Sequence, residues 1–361
     1  MPHPAPGSRH LLWIEAARTL AMAVVVWSHA SNLLYFREGD FTPVPLFSAC
    51  LVTFAVPTFF LISGYLLGRG GSGRPAEAAR ASRPLRQIRK LTPPFLAWNA
   101  LTIVSLKLLY GVPLFTWGHL GELLYGSMQL YFIFAMLQFL ALLTVVDPFA
   151  TPRRLTAWTV GAWAVTLGFY AFSSLLAHSA PPRDFVFELV GIRLAPAWGG
   201  FFFLGAWLSR HEAVFAALTR RLSWLLGAAA LTLAVYLAVV VAEARSLGAN
   251  YRQYFLLSGL AFQVAGPLAV CCACRRIEAR GGGRVFSWLA AAGRDTLGIY
   301  LAHYVLVLVF AAVVTPPVPA VWRLPLGAAA MVVAFGGALL LTRLARRFAA
   351  VPGVRLFFPP S

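Results

Sequence analysis

Apolar residues run in long blocks separated by short polar clusters, and block length, not alternation, sets the elements. A bilayer-spanning helix takes roughly 20 mostly apolar residues. Reading between the charged clusters predicts about ten such segments, at 12–35, 46–68, 91–111, 126–146, 155–177, 195–209, 222–242, 256–272, 286–314 and 324–343. No fixed-period repeat emerges, and no inverted pair of broken helices of the kind that builds secondary transporters. The longest polar stretch, Arg69 to Lys90, has only about twenty residues, too few for a soluble domain. The expected architecture is an all-α, polytopic bundle of about ten transmembrane helices. Residues 1–361 form one membrane-embedded domain, with a short basic tail from about residue 344 and no soluble domain.

Composition agrees: 60% of residues are hydrophobic and 12% charged, with a mean hydropathy of +0.74, far from the balance of soluble domains. The 30 Lys and Arg against 12 Asp and Glu could point to nucleic acid, but their distribution follows the membrane. If the N-terminus is cytoplasmic, segments on that side carry 21 basic residues and the opposite loops 7. The positive-inside bias therefore places both termini in the cytoplasm and argues against a nucleic-acid partner. Arg18 and Arg294 fall within or at the edge of spans and need a separate reason.

Three further motifs fall short of the sites they resemble. "SHA", Ser28 to Ala30, has the small-x-small form of a signal-peptidase site, but Glu15 and Arg18 interrupt the apolar region and the hydrophobic stretch continues through "NLLYF". The first helix is read as permanent. "CCAC", with Cys271, Cys272 and Cys274, lacks the four spaced ligands of a structural zinc site, and with Cys50 it offers no disulfide framework. No metal is expected. "RGGSGRPAEAARASRPLRQIRK" opens with glycines but lacks the G-K-[ST] ending of a phosphate-binding loop. Its glycines read as linker. Its later residues Arg83, Arg86, Arg89 and Lys90 recur at helical spacing, as an anchor on anionic lipid or as a seat for the phosphates of a cytoplasmic cofactor.

Ionisable side chains inside a membrane mark function by default. Glu15 and Arg18 are three apart, on one helical face, and pair. Arg18 and His29 are eleven residues apart, almost three full turns, so they share a face at depths about 16 Å apart. A second intramembrane histidine, His303, lies about two turns inside the ninth span, after Arg294 and Asp295 at its cytoplasmic edge. His3, His10, His119, His178 and His211 fall in tails or loops. In "VPTFFLISGYLL", Pro57 bends the span, Gly64 admits a close neighbour, and Ser63 bonds a backbone carbonyl or a substrate.

The ordered motifs "IEAARTLAMAVVVWSHA", "VPTFFLISGYLL", "RQIRKLTPPFLAW", "MQLYFIFAMLQF" and "GRDTLGIYLAHYVL" resemble the acyltransferase-3 family of membrane O-acyltransferases over nearly the whole chain. In that family the first helix carries a basic residue, ten intervening residues and a histidine, which fall on Arg18 and His29, with an acidic residue at Glu15. The "FFxxSG" element falls on Phe59, Phe60, Ser63 and Gly64, and the basic run before a proline-containing helix on Arg86, Arg89, Lys90 and Pro94. The fourth-span motif departs, reading Gln129, Leu130, Tyr131 where the family often has histidine or glutamate, which leaves the acceptor class open.

The resemblance implies an acyl-CoA-dependent enzyme with acetyl-CoA as usual donor and a hydroxyl-bearing acceptor: a glycan, a lipid-linked sugar or a small molecule. His29 would be the general base, assisted by Arg18 and Glu15. Arg18, Ser63, Arg86, Arg89 and Lys90 would hold the donor, and Gln129, Tyr131 and His303 the acceptor. Ionisable residues within the spans are equally compatible with a proton-coupled transporter using Glu15, Arg18, His29 and His303 as a relay; the ordered motifs favour the enzyme. Abundant Ala, Gly and Arg point to a GC-rich bacterial source, hence a bacterial cytoplasmic membrane.

Overall fold

The computed structural model describes residues 11–35, 43–69, 77–112, 117–127, 129–177, 191–247, 255–314, 319–348 and 350–359. Residues 70–76, which open the basic stretch, and His3, His10 and His178 lie outside the described residues. The described residues form fifteen helices and no strand. In chain order they are α1 (Leu12–Tyr35), α2 (Pro43–Val52), α3 (Ala55–Arg69), α4 (Glu77–Tyr110) and α5 (Trp117–Tyr125). Then come α6 (Tyr131–Val145), α7 (Pro152–Ala177), α8 (Ala195–Arg210), α9 (Glu212–Arg220) and α10 (Leu222–Leu247). The last five are α11 (Leu257–Ala279), α12 (Arg284–Gly293), α13 (Thr296–Val313), α14 (Ala320–Arg347) and α15 (Pro352–Phe357).

Six stretches are long and apolar enough to cross a bilayer unaided: Leu46–Arg69, Pro152–Leu175, Leu222–Glu243, Leu257–Ala279, Thr296–Val313 and Val321–Arg347. The other four expected segments are helical as α1, α4, α6 and α8 but do not qualify alone, so ten spans are not reproduced. α6 has 15 residues, about 22 Å at 1.5 Å per residue, shorter than the roughly 30 Å hydrocarbon core. α8 is enclosed by protein, with Trp198, Phe201 and Phe202 fully buried. A helix sheltered by its neighbours need not match the bilayer thickness.

The outer surface identifies the solvent. In the spans of α7, α10 and α14 only 22%, 17% and 22% of residues are buried, yet all three are strongly apolar. Val160, Leu231, Val235 and Val332 point outward, an apolar shell too large for a protein surrounded by water and suited to lipid. The chain is a multi-pass integral membrane protein. α1, by contrast, lies inside, against α12, α14, α11, α3 and α13.

Two expected spans are broken where local chemistry requires it. Residues 46–68 divide at Thr53 and Phe54, because Pro57 has no N–H to return to the Thr53 carbonyl. Thr58 reaches back to the Phe54 carbonyl through both its backbone N–H and its hydroxyl, restarting the helix as α3. Residues 286–314 divide at Arg294 and Asp295 into α12 and α13. Asp295 is buried and pairs with Arg343 and Arg346 of α14, at 3.2 and 2.5 Å, while Arg346 also donates to the Arg294 carbonyl. Asp295 thus ties the start of α13 to α14.

The most extensive helix contact is α3 on α8. A Cβ on Gly64 would overlap the Phe202 carbonyl and one on Gly205 the Leu61 carbonyl, so the two backbones touch, the small-residue packing expected where lipid removes the hydrophobic drive between helices. Cys271, Cys272 and Cys274 are buried free thiols in a cluster with Trp13, Ile14, Leu61 and Phe215.

α4 supplies a test of topology. Gln87 and Lys107 are both exposed on it, twenty residues or about 30 Å apart along one axis. With the four native cysteines removed, a cysteine at Gln87 is expected to label from the cytoplasm only and one at Lys107 from outside only. Labelling of both from one side would overturn the orientation.

Candidate active site

The site is built around α1. Its N-terminus is capped from α11: the Glu278 carboxylate accepts from the Leu12 and Trp13 N–H groups at 3.0 and 3.3 Å, satisfying orphan donors and opposing the helix dipole. The Thr19 hydroxyl donates to the Leu289 carbonyl at 2.7 Å, tying α1 to α12. Between these ties, Arg18 Nη1 lies 3.4 Å from Glu15 Oε1, the pair expected from their spacing. Nε and Nη2 of Arg18 have no partner among the described residues, and the side chain keeps 27% of its exposure. Arg18 is a half-buried cation with donors to spare.

Three turns on, His29 is half-buried and faces α13. Its ring centroid is 5.3 Å from that of His303, with planes inclined at 42°, and 5.1 Å from that of Tyr304, edge-on. His303 is fully buried. Its Nδ1 is 2.7 Å from the Tyr300 carbonyl and 3.1 Å from that of Ile299, whereas Nε2 has no partner among the described residues. Thus the structure brings together the two intramembrane histidines from opposite ends of the chain.

A buried polar network adjoins them. The Tyr300 hydroxyl donates to the Gln129 backbone carbonyl, and the Tyr300 ring lies 5.9 Å from that of His303. Gln129 Nε2 donates to Thr102 Oγ1 at 2.9 Å, and its Oε1 accepts from Ser127 Oγ at 3.2 Å. Asn99 Oδ1 accepts from Ser127 N at 2.8 Å, which fixes the amide orientation and leaves Nδ2 buried without a partner among the described residues. Gln129 therefore sits on the turn before α6 with its amide engaged in joining that turn to α4.

The other expected site residues lie on α4, α3 and α6. Arg86, Arg89 and Lys90 are exposed on the N-terminal half of α4, which runs unbroken from this basic stretch to Asn99 and Thr102. Ser63 is half-buried and makes no hydrogen bond among the described residues, against the expectation of a bond to a backbone carbonyl; its hydroxyl is left for another partner. Tyr131 is buried and stacks on Trp198, with ring centroids 6.3 Å apart. The sequence reading missed Tyr300, Tyr304 and Asn99. Tyr300 stands three before His303 and four before Tyr304, a helical spacing that apolar surroundings hid.

The fold and this site define a multi-pass helical membrane protein with a charged pair and a histidine pair at two levels of one central helix. The family model of the acyltransferase domain matches residues 11–343, nearly the whole chain, and the chain belongs to the acyltransferase-3 family. No curated protein and no solved structure matches it significantly.

Proposed function

We propose that this membrane acyltransferase moves an acyl group, most simply acetyl, from cytoplasmic acyl-CoA to a hydroxyl of a glycan, lipid-linked sugar or small metabolite. The observation that carries the reading is the juxtaposition of His29 and His303 in the core of an acyltransferase-family chain. A neutral imidazole suits removal of a hydroxyl proton near neutral pH. His29 takes that proton as the hydroxyl oxygen bonds to the thioester carbonyl carbon. The carbon–sulfur bond then breaks, and His29 returns the proton to the departing thiolate, so charge and atoms balance.

Arg86, Arg89 and Lys90 would receive the donor's phosphates. Their exposed, closely spaced cations fit an anion that binds multidentately. Arg18, oriented by Glu15, would meet the donor on its way inward, and the Ser63 hydroxyl offers it a further contact. Tyr131 and the turn bearing Gln129 would border the acceptor. The enzyme would reside in a bacterial cytoplasmic membrane with both termini in the cytoplasm.

The direct test is release of CoA thiol from acetyl-CoA by the purified protein, with mass spectrometry of envelope glycans and metabolites from cells with and without the gene. Silence in both assays would reject the reading and favour transport. The donor seat is tested separately. Replacing Arg86 and Arg89 together with glutamine is expected to weaken CoA binding by about tenfold or more, since each charge-assisted bond contributes about 1.5–3 kcal/mol. Unchanged affinity in correctly inserted protein would assign these residues to lipid anchoring.

A further inference from the structure

We propose that His303 is the positioning residue of His29: its Nε2 accepts the ring N–H of His29 and so holds that ring in the tautomer whose other nitrogen is bare. The proposal rests on the reading of His29 as the base. It starts from the two carbonyls beside His303 Nδ1, those of Tyr300 at 2.7 Å and Ile299 at 3.1 Å. A carbonyl oxygen only accepts, so the hydrogen of the neutral ring must be on Nδ1, donated to them. Nε2 is thereby an acceptor and nothing else.

That acceptor is fully buried and without a partner among the described residues, a condition that is costly while nothing answers it. Its neighbours narrow the choice of donor. The Tyr300 hydroxyl hydrogen is committed to the Gln129 carbonyl. Tyr304 presents its ring to His29 edge-on. His29 faces His303 with centroids 5.3 Å apart, and catalytic hydrogen bonds that are open in a substrate-free site commonly close around the substrate. Once the acceptor hydroxyl presses on His29, its N–H toward α13 meets His303 Nε2 and its opposite nitrogen receives the proton. The resulting imidazolium keeps its bond to His303, which stabilises the charge as it forms.

The test compares His303→Leu with His303→Gln in the purified full-length protein, reading kcat and KM for acetyl-CoA thiol release. Leucine fills the volume without an acceptor, whereas the glutamine amide oxygen reaches the place of Nε2. Leucine is expected to lower kcat by about 10²-fold, as loss of the tautomer-setting partner does in serine proteases on a larger scale, with KM unchanged. Glutamine is expected to recover activity to within about tenfold of wild type. Should the leucine variant yield too little folded protein, His303→Asn replaces it, because its shorter amide serves the Nδ1 position but not Nε2. Equal losses in the glutamine variant and the acceptor-less variant, or no loss in either, would overturn the proposal. If His29→Ala is inactive while His303→Leu is fully active, only this inference falls. If His29→Ala turns over normally, the base assignment beneath it falls.

Discussion

Replacing His29 with alanine is expected to lower acyl transfer by about 10² to 10⁴, the usual worth of a general base, while leaving the amount of folded protein nearly unchanged. Alanine is the strongest helix former, and His29 is only half-buried in α1, where it makes ring contacts but has no hydrogen bond among the described residues. The measurement is thiol release per folded molecule, after size-exclusion chromatography has matched the two preparations. Arg18→Ala should behave differently. It leaves the Glu15 carboxylate, which keeps only 14% of its exposure, without its cation, so stability and donor binding fall together. Wild-type turnover by the alanine variant at position 29 would take this histidine out of the mechanism and direct attention to His303.

Gly205→Ala is expected to be among the most damaging single-methyl changes in the fold. The added carbon would coincide with the Leu61 carbonyl, a backbone atom that no rotamer change can move, and the reciprocal contact of Gly64 with Phe202 prevents the helices from sliding apart. Separating α3 from α8 would also loosen the stack of Phe60 on Trp198, whose rings are 5.1 Å apart. Overpacking typically costs about 1–3 kcal/mol, and more where backbone must shift, a large part of a total stability of about 5–15 kcal/mol. Gly227→Ala on α10 is the matched control, because its added methyl meets open space and helix propensity improves. Thermal unfolding in detergent should show the Gly205 variant well below wild type and the Gly227 variant at or above it. Equal melting temperatures for both would show that the helices do not meet this closely.

Much of the site was legible one element at a time. Glu15 and Arg18 pair because they are three residues apart on a helix, a relation independent of the rest of the molecule. Pro57 and Gly64 were read for what proline and glycine do to a backbone, and the break before α3 and the α3–α8 contact follow from those properties. The break at Arg294 and Asp295 was not legible as a break, since two polar residues vanish in the average hydropathy of a long apolar window. It became visible through Arg343 and Arg346, which reach Asp295 from another helix. Gln129 is expected at the acceptor, and what the sequence does not show is that its amide is engaged by Thr102 and Ser127. The amide nitrogen left open is that of Asn99, on a helix the sequence marked only for its basic end.

The surrounding solvent and the family are legible in the chain before any fold is known. Hydropathy sums over a segment and charge asymmetry sums over loops, so neither depends on which helix touches which. The ordered motifs likewise survive any arrangement of the bundle. Only the tertiary structure decided that His303 faces His29, that its Nδ1 is bound by the carbonyls of its own helix, and that its Nε2 is left open. A histidine's place in the sequence sets its depth along one helix axis. The direction of its lone pair is set by the rotation of that helix against its neighbours, held by ties to another helix such as Asp295 to Arg346 and the close approach of Gly298 to Thr342.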